Sequence, residues 1–193
     1  MSLEQINRLI GDPTGVDMNI FYVDKDPIKA AQSLVDRHVV KMILESAQLL
    51  STAHRVLDGK EAIELSANNR RIKRWVLPDN REGVLYKATH SNHPSAIWCR
   101  ASNNNYRWLY DHFVALLDEY TYRYGKVHES SKLVKVLRAT PKNITAHVLV
   151  AATPAMPSEY LVEGNAVESY RNYYRVAKAH LHKWTKRNKP EWI

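Results

Sequence analysis

Leu34-Val35-Asp36-Arg37-His38-Val39-Val40-Lys41-Met42-Ile43-Leu44-Glu45 decides how the rest of this chain is read. Its apolar residues recur at helical spacing, and Ala31, Val35, Val39, Met42, Leu49 and Ala53 fall along one stripe. On a helix each residue advances about 100°, so Glu45 lies roughly 20° from His38 and roughly 40° from Lys41. An imidazole, an amine and a carboxylate therefore share the edge of a core-facing stripe. A carboxylate in that position costs free energy unless it is paired or used. Two readings fit: a His38–Lys41–Glu45 cluster that locks two helices together, or a reaction centre.

The 193 residues suffice for one domain with a real core. Apolar residues make up 45% and charged residues 25%, the balance of a globular protein in water. No window approaches the roughly 18 apolar residues of a membrane span, and no secretory leader pattern opens the chain. Cys99 is the single cysteine, so no internal disulfide can form and a reducing, cytoplasmic setting is expected. The formal charge of +8 favours an anionic partner, with nucleic acid first and anionic small molecules second.

Residues 1–17 read as an N-terminal extension. Ser2 with Gln5 resembles a capping box, and Gly11-Asp12-Pro13-Thr14-Gly15 breaks the short helix it would open. Residues 18–193 read as the main domain, and Met18 could serve as an internal start. Asn19 to Val23 suits a short strand or an extended lead-in. Asp24 or Asp26 can cap a helix that starts at Pro27, runs to about Leu57 and ends at Gly59. Asn68-Asn69-Arg70-Arg71 reads as the turn of a hairpin with arms at Ile63–Leu65 and Ile72–Leu77. Further helices are expected over Arg81–Thr89, Pro94–Gly125 and Ser130–Arg138, with Thr140–Tyr160 irregular. A last helix, capped by Asn165 with Glu168 three residues on, should continue toward Pro190. The fold class is mainly α: a single compact helical domain with one small β-hairpin.

Several polar groups could contact phosphate. Arg100, Asn104, Arg107 and Asp111 follow helical spacing, and two arginines flanking an amide can bridge phosphates. Arg107 and Asp111 can equally pair with each other on a wet surface. His90-Ser91-Asn92-His93 precedes a helix start, where His90, Asn92 and His93 could hold an anion. Those two histidines alone do not make a metal site, and no metal or cofactor is expected. Arg70, Arg71, Lys73 and Arg74 with Trp75 form a second basic patch. Arg171 and Arg175 lie among tyrosines in a third.

With these residues in view, the chain resembles the pyrimidine-dimer DNA glycosylases, small helical base-excision enzymes. The resemblance lies in Leu34-x-Asp36-x-His38 followed by Glu45, in His93-Pro94-Ser95-Ala96-Ile97, and in the basic C-terminus with Tyr170, Tyr173 and Tyr174. The stretch from Met18 to Trp192 is also similar to proteins of large tailed phages, which would place it in a host's cytoplasm.

The glycosylase resemblance implies that double-stranded DNA is the partner and that Glu45 assists attack at C1′ of an extruded, damaged nucleotide. It also implies an amine nucleophile that forms a Schiff base there and permits strand cleavage at the abasic site. In that family the amine is the mature N-terminus. Here seventeen residues precede Met18 and Asn19 follows it, so Lys41, one turn before Glu45, is the candidate substitute. Two other readings use the same residues. One is modification of phage DNA bases or nucleotides, with His38 or Glu45 as base. The other is a non-catalytic nucleic-acid-binding module.

Overall fold

The computed structural model describes residues 18–193, so the expected extension over 1–17 lies outside the described residues. The Asp26 carboxylate accepts the N–H groups of Ile28 and Lys29 at 2.8 and 3.2 Å. With Pro27 in the first turn, this cap starts α1 (Pro27–Ser33).

The single helix expected to reach Leu57 is in fact two. Leu34 and Val35 turn extended, and α2 (Asp36–Asp58) begins afresh. Hydrogen-bond partners from far along the chain make the break. The Arg123 guanidinium takes the carbonyls of Leu34 and Gln32 at 2.9 and 3.0 Å. Trp184 Nε1 takes that of Ser33 at 2.9 Å, and the Tyr174 hydroxyl accepts the Val35 N–H at 2.9 Å. The whole stripe from Ala31 to Ala53 is nonetheless buried.

Gly59 ends α2 where the chain doubles back tightly. A Cβ there would meet the Arg55 carbonyl oxygen at 2.4 Å, so only glycine fits without a shift. The expected hairpin follows as β1 (Lys60–Leu65) and β2 (Arg71–Val76), antiparallel, with Lys60 opposite Val76 and Leu65 opposite Arg71.

Arg81–Thr89 is not the helix expected; a single 3₁₀ turn over Asn80–Gly83 replaces it. Arg55, fully buried on α2, claims the carbonyls of Glu82, Leu85 and Tyr86 that a helix would have used. The helix predicted over Pro94–Gly125 also divides, into α3 (Pro94–Ala101) and α4 (Asn103–Tyr124). Ser102 between them is extended and its Oγ caps the Asn105 N–H at 3.1 Å. Asn105 Nδ2 closes off the Trp98 carbonyl at 2.9 Å. At the far end Gly125 adopts φ 64, the left-handed stop.

A 3₁₀ turn (Glu129–Leu133) leads into α5 (Val134–Leu137), and the segment to Tyr160 is irregular apart from a short 3₁₀ turn at its end. The last helix, α6 (Ala166–Val176), has its predicted Asn165 cap but stops well short of Pro190. Beyond it the chain folds back: His182 meets the Tyr174 carbonyl at 3.1 Å, and Thr185 binds Asp36 through N–H and hydroxyl at 2.9 and 2.7 Å.

The expected fold class holds. Among the described residues there are six α-helices and one two-stranded sheet, with α2 packed on α3 and α4, and α1 laid on α4. Phe113, Leu116, Leu133, Tyr170 and Tyr174 share its core. None of the described helices is long and apolar enough to cross a membrane.

Two core histidines make the fold acid-sensitive. His54 accepts from Arg81 Nη1 at 2.9 Å and meets the Tyr106 hydroxyl at 2.8 Å. Burial, reinforced by the Arg81 charge, lowers its pKa to about 4. Burial lowers His112 to about 4 as well. Both rings stay neutral in the fold but protonate below about pH 6.5 when unfolded, so acid favours the unfolded chain. Between pH 6.5 and 4 the expected loss is about 1.4 kcal/mol per pH unit for each ring. Urea midpoints should therefore fall steadily over that range. The fall should be shallower in His112→Asn, which keeps a donor for the Pro27 carbonyl that His112 meets at 3.0 Å.

Candidate active site

Asn19 to Val23 forms no strand; it coils over the N-terminal half of α2. The Asn19 side chain folds this coil. Its Oδ1 accepts the N–H groups of Ile20 and Phe21 at 2.8 and 3.0 Å, while Nδ2 reaches the Ala155 carbonyl at 2.9 Å. Phe21 is thereby held at φ 53, a left-handed conformation that costs an L-residue about 1–2 kcal/mol. Its ring stacks on His38 with centroids 4.3 Å apart and meets the edge of Tyr174 at 5.4 Å. Those contacts compensate the strain, and strain of this kind concentrates where geometry serves function.

The result is a small buried polar cluster under the coil. Glu45 is 5% exposed. One of its oxygens accepts the Asn19 backbone N–H at 2.9 Å, and the other lies 3.4 Å from Lys41 Nζ. His38, also 5% exposed, places Nδ1 2.8 Å from the Tyr174 hydroxyl. Because that hydroxyl oxygen already accepts from Val35, its single proton is available to His38. Burial pushes the Tyr174 phenol well above the ordinary tyrosine range, so it acts as a neutral donor. The structure thus brings together His38, Lys41 and Glu45 as the helical spacing indicates, and adds Asn19, Phe21 and Tyr174.

Asn19 and Phe21 escaped the sequence reading. A backbone N–H carries no sequence signature, and an Asn-x-Phe triplet gives no hint of a left-handed turn.

The phosphate-contact candidates are dispersed over several elements. His93 spends Nδ1 as the cap of α3, accepting the Ser95 N–H at 3.1 Å. Burial, with His90 nearby, lowers its pKa. His90 and Asn92 are exposed, with His90 Nδ1 2.7 Å from the Thr89 hydroxyl. Arg100 holds the Ser91 carbonyl at 2.7 Å, bracing this loop from α3. The break at Ser102 puts Arg100 on a different helix from Asn104 and Arg107, both of which are exposed on α4. Asn104 donates to the His147 carbonyl at 2.6 Å.

Arg70 and Arg71 stand exposed at the hairpin end, while Arg74 is half-buried and donates to the Ala88 carbonyl at 3.1 Å. Arg171 and Arg175 are half-buried and bonded to groups of the fold. Arg171 holds the Val23 carbonyl at 2.9 Å and so anchors the coil over Glu45. Arg175 binds Glu168 at 2.7 Å and Asn172 at 2.8 Å.

No curated protein and no solved structure matched the chain. The family model described as pyrimidine dimer DNA glycosylase matches residues 18–133, more than half of the chain. The matched span contains Asn19, Phe21, His38, Lys41 and Glu45, and the chain belongs to the pyrimidine dimer DNA glycosylase family.

Proposed function

We propose that this protein excises a damaged pyrimidine from duplex DNA, with Glu45 moving the proton and Lys41 supplying the amine. The observation that carries this is the Glu45 pair: a carboxylate shielded from water, 3.4 Å from a partly exposed ammonium. Lys41 keeps 21% of its side chain exposed, so it can reach a nucleotide turned out of the duplex.

Glu45 takes a proton from the Lys41 ammonium, and Nζ bonds to C1′ as the glycosidic C1′–N bond breaks. The pyrimidine leaves with that electron pair and takes up the proton that the new C1′–Nζ ammonium gives up. The C1′–O4′ bond of the resulting amino sugar then breaks, O4′ taking the proton held by Glu45, and the imine left at C1′ opens the way to strand cleavage. Glu45, ionised again once its proton has passed to O4′, stabilises the cationic imine. His38, fixed by Phe21 and Tyr174, keeps the first turns of α2 in place. Exposed Arg100-loop residues His90 and Asn92, with Asn104, Arg107, Arg70 and Arg71, supply the phosphate contacts. Cytoplasmic duplex DNA, cellular or phage, is the substrate pool this reading implies.

Borohydride trapping tests it. Ultraviolet-irradiated or abasic duplex should yield a covalent adduct with the intact protein and none with Lys41→Met. An adduct that persists in Lys41→Met and maps to Asn19 would instead assign the nucleophile to an α-amine freed by cleavage after Met18. Glu45 is also fully satisfied by Asn19 and Lys41 as a purely structural carboxylate. No adduct and no released base with any damaged duplex would favour that second reading.

A further inference from the structure

We propose that the β1–β2 hairpin is a second DNA-contacting element, a two-stranded ribbon that docks in a groove of the duplex beside the reacting nucleotide. The proposal rests on the glycosylase reading for the identity of the partner, and on the hairpin itself for the contact. The strand register sorts its side chains into two faces. Lys60, Ala62, Glu64, Ile72, Arg74 and Val76 share one. Glu61, Ile63, Leu65, Arg71, Lys73 and Trp75 share the other.

The first face is turned toward the body of the protein. Ala62, Ile72 and Arg74 are half-buried there, and Arg74 bonds the Ala88 carbonyl. The second face is turned outward: Ile63 is 52% and Leu65 67% exposed. Arg71 stands directly opposite Leu65, and Lys73 opposite Ile63. Lys73 Nζ lies 5.4 Å above the Trp75 ring and 2.8 Å from Glu61 on the same face, an exposed pair that a phosphate would displace. Cations alternating with apolar groups suit a surface that meets phosphates at its margins and sugars or base edges between them.

Charge selects the partner. Between residues 60 and 76, Lys60, Arg70, Arg71, Lys73 and Arg74 face only Glu61 and Glu64. A polyanion is the complement of that excess.

The tip is also preorganised. Ser66 donates its N–H to the Arg70 carbonyl at 2.8 Å, its hydroxyl oxygen accepts the Arg70 N–H at 3.0 Å, and Asn69 closes the turn at φ 54. Arg70 and Arg71 therefore leave a fixed turn, which reduces the ordering cost of binding.

Dimensions agree. A major groove about 12 Å wide admits a two-stranded ribbon. From Glu45 to the end of α2 is about 20 Å along the helix axis, roughly six base pairs of duplex. The face turned to the body rests on Ala88, just before the His90–His93 loop, so the ribbon continues the surface that carries the phosphate candidates.

The test is fluorescence anisotropy of the full-length protein on an undamaged duplex of about 30 base pairs, across a salt series. Arg71→Glu with Lys73→Glu should weaken binding at least about tenfold and lower the slope of log affinity against log salt by about two. Arg71→Gln with Lys73→Gln should do the same more mildly. Both variants alter only exposed side chains, and an unchanged far-ultraviolet spectrum and melting curve will show that they fold. Affinity and slope within twofold of the parent would overturn the proposal, as would a loss of binding that tracks loss of a dimer by light scattering. The two readings separate cleanly: ribbon-dependent duplex binding without any trapped adduct would remove the Glu45 chemistry and leave the ribbon standing.

Discussion

Glutamine in place of Glu45 should lower turnover on ultraviolet-irradiated duplex by about 10²- to 10⁴-fold, the range of a lost general acid–base group. Duplex affinity should change little. The amide oxygen can still accept the Asn19 N–H, so the coil over α2 stays in place. What disappears is the charge facing Lys41 and the capacity to carry its proton. Measuring single-turnover base release beside duplex affinity separates the two effects. Parent-like turnover in Glu45→Gln would return Glu45 to a structural role and leave Lys41 without a partner in the chemistry.

The largest stability effect is expected at Arg123. Its side chain is fully buried, bonded to Glu119 at 2.7 Å and Asp36 at 2.9 Å, and it holds both carbonyls that define the break between α1 and α2. Arg123→Met removes the cation and leaves Asp36 and Glu119 facing a buried methyl group. Breaking a buried pair in this way costs about 3–5 kcal/mol. Arg187 remains on Glu119 at 2.8 Å, which argues for the lower half of that range. Urea unfolding at neutral pH gives the number directly. Activity should fall with it at temperatures where the parent is still folded, because the same break lets the Tyr174 hydroxyl reach both Val35 and His38. A loss under about 1 kcal/mol would mean that the two carbonyls find other donors.

Much of this was legible in the sequence, and the failures share one cause. The stripe from Ala31 to Ala53 and the approach of Lys41 to Glu45 follow from helical period alone. The hairpin followed from Asn68-Asn69 between two β-prone arms. Three helices read as too long, by contrast, were cut by partners remote in sequence: Arg123 at Leu34 and Trp184 at Ser33, Arg55 at Tyr86, and beside Ser102 the Thr145 carbonyl, which takes the Asn103 N–H at 2.9 Å. Local propensity cannot report a hydrogen-bond partner that arrives from another part of the chain. The same blindness affected the arginines. Sequence gives their charge, but Arg74, Arg171 and Arg175 direct theirs at carbonyls and carboxylates within the fold. In the polar cluster, side-chain spacing showed three of the groups, while the coil that covers them rests on a main-chain bond to Glu45, the Asn19 side chain and an aromatic stack.

The bond from Asn19 to Glu45 has an unusual mutational profile for that reason. Its donor belongs to the peptide backbone, so every amino acid except proline can supply it. Genetic change at position 19 therefore acts in two separable ways. Asn19→Pro deletes the donor itself. Asn19→Ala keeps it but releases the three bonds with which the side chain curls the coil and ties it to Ala155. The contact is robust in its chemistry and fragile in its placement, and comparing those two substitutions would weigh one against the other.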